Sequence, residues 1–187
     1  VGLTTSQVAG LSNASLESIS TNAIAALSST QVAAITTAQV IGLTEAALKA
    51  FNTSSISALT TSAVASLGYD ALAAFKTDQI QALTTAQIAG LNTQQVADLN
   101  TITLTALTTK QIAALETRDV AVLSNGNLVA LTTEQLQALT SSQIAGLTSQ
   151  QIYDLTTITL RNISTRQVAF LETADLAALS VESFAAF

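Results

Sequence analysis

Apolar residues return at two fixed places in every eight along this chain. With Leu83 set as position a of a frame a–h, position a is Leu, Ile or Phe from Leu3 to Phe187. Position f is apolar in every octad, from Val8 through Ile88 to Phe184. The frame runs through 23 octads without insertion or deletion. Positions b and c are mostly Thr, Ser or Asn, and position e is Gln in eleven octads and Asp at Asp119 and Asp175. Positions g and h are mostly Ala, with Gly at Gly10, Gly42, Gly90 and Gly146.

Three backbones could carry this pattern. In one long helix each octad would rotate its apolar pair by roughly 80° relative to the last, so no face stays apolar. A β-solenoid is the alternative: Thr and Ile suit strands, but a and f lie five apart and fall on opposite faces of one strand. Seven Gly and no Pro are also poor turn chemistry for so many corners.

A chain of very short helices explains each position. Thr84 at N-cap and Gln87 at N3 have capping-box spacing, and Leu83 before the cap pairs with Ile88 as a hydrophobic staple. The same box spacing recurs at Thr4 and Gln7, Thr108 and Gln111, Thr140 and Gln143, and Ser164 and Gln167. Ala at g and h prolongs the helix until the next Leu-Thr restarts it. Alone, a helix under ~12 residues is marginal, so neighbouring octads must stack their a and f side chains, as solenoids do. Each cap contributes roughly 1 kcal/mol and each buried apolar side chain roughly 1.5–3 kcal/mol. The predicted fold is therefore all-α: a repeat solenoid or superhelix of very short capped helices, one per octad, with Leu and Ile inside and Thr, Ser and Gln outside.

A longer period overlies the octad. Segment 75–130 aligns without gaps to 131–186 with 30 identities in 56 positions, and a weaker copy fits 19–74. The whole of 1–187 thus reads as a single continuous array of 23 octads grouped in blocks of seven. Two readings stay open: simple duplication, or seven octads completing a whole number of superhelical turns. The chain opens on Val1 and stops within the repeat, as expected of a window of a longer protein or a processed product.

Composition narrows the function classes. Charged residues make up 10%, against about a quarter in ordinary domains. Twelve acidic and six scattered basic residues leave no electrostatic footprint for nucleic acid. Thr, Ser or Gln interrupts the apolar runs, so no membrane insertion is expected. Without His or Cys, the triads and common zinc sites built on them cannot form, and no enzyme is predicted. Glu116 with Asp119, and Glu172 with Asp175, have the spacing of a carboxylate pair, but calcium needs a denser oxygen set. They read as capping-box variants. Asp98 and Asp154 depart from the small residues usual at h and are expected to make a local cap or a lateral contact. Asn125-Gly126-Asn127 reads as a turn. No catalytic, cofactor-binding or metal residue is assigned.

The octad Leu-Thr-Thr-x-Gln-(Ile/Val)-x-(Ala/Gly), at 3–10, 83–90 and 107–114, resembles Thr/Gln-rich octapeptide arrays of very large bacterial secreted or surface proteins of the adhesin and haemolysin-like kind. The resemblance covers the whole chain and carries over no functional residues. It implies an extracellular or cell-surface structural segment: a stalk, spacer or self-assembling filament. Self-association, end-to-end or lateral, is expected from the apolar Phe184 and Phe187 at an open solenoid end. The competing reading is an adhesive module gripping a glycan or protein through its outer face, for which Tyr69 and Tyr153 are the aromatic candidates.

Overall fold

The computed structural model describes residues 2–184, and within them all side chains but those of Ile158, Ala178, Glu182 and Phe184. One helix forms in each octad, numbered in octad order from α1 (Thr5–Ala9) to α23 (Val181–Phe184). No strand occurs among the described residues, which overturns the β-solenoid alternative. Two extended residues and one short helix per octad bring a and f together on one side, which a continuous strand cannot do. Leu83 (φ −59°, ψ 132°) and Thr84 (φ −71°, ψ 157°) are extended, Thr85–Ala89 is helical, and Gly90 closes the helix at φ −87°, ψ 0°. No described residue has a positive φ. Every corner is made from ordinary extended and helical backbone, so the array needs neither Pro nor left-handed Gly.

The chain folds as two compact units that meet in sequence at Leu91 and Asn92. In the first, α1 packs on α4 (Ser29–Ala33), α4 on α7 (Thr53–Ala58), and α7 on α10 (Thr77–Ala82). In the second, α13 (Thr101–Ala106) packs on α16 (Asn125–Ala130), α16 on α19 (Ser149–Asp154), and α19 on α22 (Thr173–Ala178). Within each unit, then, a helix stacks on the third one after it, as neighbouring coils of a solenoid do.

The staple residues fill the inside of each coil. Ile24, Val32, Ile56, Val64, Ile88, Leu104, Val120, Ile144 and Leu160 at position f are fully buried, and position a follows with Phe51, Leu67, Leu91, Leu115 and Leu139. Small residues let coils approach. A Cβ placed on Gly90 would sit 2.2 Å from the Thr61 methyl, so the coils are closer there than any side chain permits.

One expectation fails. Apart from the exposed Gln7, glutamine at position e is not on the outside: Gln79 and Gln143 are only 1% exposed, and Gln87 2%. A buried carboxamide must satisfy both its ends, and its second end proves to be what joins one coil to the next. The expectation for the side chain of Phe184 and for Phe187 lies outside the described residues and side chains.

Candidate functional site

The recurring chemical device is a glutamine clamp. Gln87 Oε1 accepts from the Thr84 N–H at 2.7 Å, which is the expected half of the capping box. Its Nε2 then donates to the carbonyls of Ile56 (3.0 Å) and Leu59 (2.6 Å), 31 and 28 residues earlier. The same geometry holds Gln79 to Leu48 and Phe51, at 2.9 and 2.8 Å. In the second unit Gln143 reaches Ile112 and Leu115, Gln151 reaches Val120 and Leu123, and Gln167 reaches Leu136 and Leu139. Each carboxamide thus ties its own helix start to backbone one coil earlier. The offset of 28 residues is three and a half octads, so every clamp spans the joint between two octads of the neighbouring coil. The missed signal was chemical: a capping box uses only the oxygen of the amide and leaves a donor group to be placed.

An ALTTAQ repeat model matches residues 8–45, 64–101, 112–149 and 120–157, which together make up more than half of the chain. The chain belongs to the ALTTAQ repeat family. No curated protein matches it. Within this ALTTAQ array, the stretch Ala82-Leu83-Thr84-Thr85-Ala86-Gln87 spells the repeat letter for letter, ending on the clamping glutamine.

The candidate carboxylates occupy the clamp position. Glu116 is N-cap and Asp119 is N3, as expected, and Asp119 Oδ2 accepts from the Glu116 N–H at 3.3 Å. Asp119 is wholly buried, and its Oδ1 accepts from Thr93 Oγ at 3.3 Å. Burial pushes its carboxyl above the ordinary aspartate range, against the hydrogen bonds from Glu116 and Thr93 and the Arg118 guanidinium 3.8 Å away. Glu172 and Asp175 repeat the arrangement, with Ser149 Oγ donating to Asp175 Oδ1 at 3.0 Å. These are acids with structural partners; among the described residues no group of three or more Asp or Glu is placed to hold a metal ion.

Other candidates resolve locally. Asp98 accepts from Gln94 one helical turn back at 2.8 Å. Asp154 accepts from Gln150 at 2.7 Å and also from Asn125 of the neighbouring coil. Asn125-Gly126-Asn127 is not a turn but the start of α16, capped by Ser124. Ser at N-cap outweighs the turn preference of Asn-Gly, and Asn127 acts as a shortened clamp, donating to the Leu99 carbonyl at 2.6 Å. Tyr69 in the first unit and Tyr153 in the second are both exposed, as is Phe170. No helix among the described residues is long and apolar enough to cross a membrane.

The array departs most from its own pattern at octad 67–74. Gly68 provides no capping side chain and Ala71 stands where the clamp would be. A hollow of about 310 Å³ opens there, lined by Ile41, Leu43, Glu45, Leu48, Asp70 and Ala71 together with Gly68. Beside it, Tyr69 borders a second hollow that shares Glu45 and Asp70.

Proposed function

We propose that this ALTTAQ array is a structural segment, a stalk or spacer, of a bacterial extracellular or cell-surface protein. The observation that supports this is the clamp at its constant 28-residue offset. The glutamine that recurs at position e is used to join coil to coil, and shape is what such repetition supplies. On this reading a 56-residue block corresponds to two coils, and blocks add length in equal steps. Arrays lengthened by whole 56-residue blocks and labelled at both ends for energy transfer test it. The expected result is an equal increase in end-to-end distance per added block; a distance that does not grow would overturn the spacer reading.

Self-association belongs to the same proposal. Apolar side chains stand out on the outer surface, Ile102 at 79% and Val181 at 84% exposure, and a non-closing contact between identical arrays propagates. Sedimentation across a concentration range should show reversible growth above the monomer mass, and a monomer at every concentration would sink it. The exposed Tyr69, Tyr153 and Phe170 favour a second reading, adhesion to a glycan by aromatic stacking. Glycan-array binding lost on Tyr153→Ala would support that reading over the spacer.

A further inference from the structure

From the hollow at octad 67–74 we infer a recognition socket for the side-chain carboxamide of a glutamine, carried by a basic segment of a partner polypeptide. The template is inside the same unit. At Gln39, Gln79 and Gln87 a carboxamide bridges the N–H of its N-cap residue and the carbonyl 28 residues earlier. At octad 67–74 the equivalent donor is the Gly68 N–H, and the equivalent acceptor is the Leu43 carbonyl. Neither has a hydrogen-bond partner among the described residues, and Gly68 and Leu43 both line the hollow.

Loss of the clamp alone does not make such a space. Ala47 and Ala63 also replace the glutamine, yet both are buried by their surroundings at 6% and 0% exposure. At Ala71 the cap side chain is missing as well, and the space stays open. What remains is one donor and one acceptor at the two places a clamp amide joins in the neighbouring octads, in a hollow lined by Leu43 and Leu48 among others. A primary amide matches both groups; a carboxylate matches only the Gly68 N–H and would set its second oxygen against the Leu43 carbonyl. The rim fixes the company the amide keeps. Glu45 and Asp70 line the hollow; Glu45 is paired with Lys49, whereas Asp70 has no ion-pair partner among the described residues, so beside Asp70 a cationic neighbour is favoured and an acidic one repelled.

The test uses the full chain labelled with ¹⁵N-glycine, in which Gly68 is one of seven reporters and is itself the donor. It is titrated with acetyl-Arg-Gln-Val-N-methylamide and with the Glu analogue of the same peptide. The expected result is a saturable shift of the Gly68 resonance with the Gln peptide, at least ten-fold weaker with the Glu peptide. Gly10, Gly126 and Gly146 should stay in place. Ala71→Gln supplies the chain's own carboxamide and should abolish the shift while raising the melting temperature. Equal responses to the two peptides, no saturable shift, or binding that survives Ala71→Gln would overturn the socket. If Ala71→Gln disturbs the remote glycines, the comparison of the two peptides on the unsubstituted chain decides alone.

Discussion

Gly146 lies so close to Thr117 of the neighbouring coil that a Cβ added to it would meet the Thr117 methyl at 2.1 Å. The two residues are 29 positions apart, as are Gly90 and Thr61 in the first unit, where the same clash recurs. Gly146 has φ −90° and ψ 0°, a conformation open to any residue. What the position needs is room.

The pair should therefore be energetically coupled. Gly146→Ala should destabilise by about 1 kcal/mol through overpacking. In a Thr117→Ser background, where the methyl is gone, the same change should stabilise by about 0.5 kcal/mol through lower chain entropy in the unfolded state. A double-mutant cycle in urea measures the coupling, and additive effects would refute the close contact.

The clamps should dominate polar stability. Gln143→Leu keeps the volume but strands the Thr140 N–H and the Leu115 carbonyl and leaves the Ile112 carbonyl with the Leu115 N–H alone, where the carboxamide now joins all three at 2.7, 2.7 and 2.9 Å. Hydrogen bonds of about 1 kcal/mol are lost and buried groups are left unpaired, so about 2–4 kcal/mol should disappear. The exposed Gln81 provides the control: Gln81→Leu should stay within about 0.5 kcal/mol. Equal losses at both sites, read from denaturation midpoints, would show that the buried amide contributes nothing special.

Ser55 should behave in the opposite sense. Its hydroxyl sits at the clamp position, 1% exposed, with no hydrogen-bond partner among the described residues. Ser55→Ala removes the unpaired group and matches the alanines found at Ala47 and Ala63, so stability should rise by about 1 kcal/mol. A fall in melting temperature would mean that the hydroxyl is satisfied in solution.

Asp119 predicts a pH dependence. Its folded pKa is raised by burial, so the folded state holds the proton to higher pH than the unfolded chain, which releases it near about 3.9. Stability contributed by the protonated acid is present below that value and declines as pH rises through the folded pKa. Glu116 and Arg118 are the charged groups facing it, and Thr93 donates to it. Relative to Asp119→Asn, the unsubstituted chain should lose stability as pH climbs from about 4. Parallel stability curves for the two proteins between pH 3 and 7, or a gain with rising pH, would contradict this sign.

What the sequence disclosed was whatever lies within one octad. Thr84, Gln87, Leu83 and Ile88 interact over three to five residues, so cap, box and staple follow from spacing alone, and the helices fall where those residues put them. The burial of Gln87 was hidden because its second set of bonds goes to Ile56 and Leu59, at a distance of 28 and 31 residues that is no multiple of the octad. Asn125-Gly126 was misread because a strong local turn signal lost to the Ser124 cap beside it. The acids were legible as cap variants at Glu116 and Asp119, whereas the hydroxyl of Thr93 that reaches Asp119 was not. The hollow at octad 67–74 could be noticed only as two departures, Gly68 and Ala71, whose joint effect is spatial.

The half-octad stagger of the clamps gives the array the bond of brickwork. Within each unit the clamping glutamines cross a joint in the course before them, so each ties together two octads that meet end to end. The mortar, moreover, grips backbone, which leaves Gln143 indifferent to which octad contributes Ile112 and Leu115. Bricks can be added or removed in whole units without recutting their neighbours. Only the few side-chain fits, such as Gly146 over Thr117, remember which brick was laid on which.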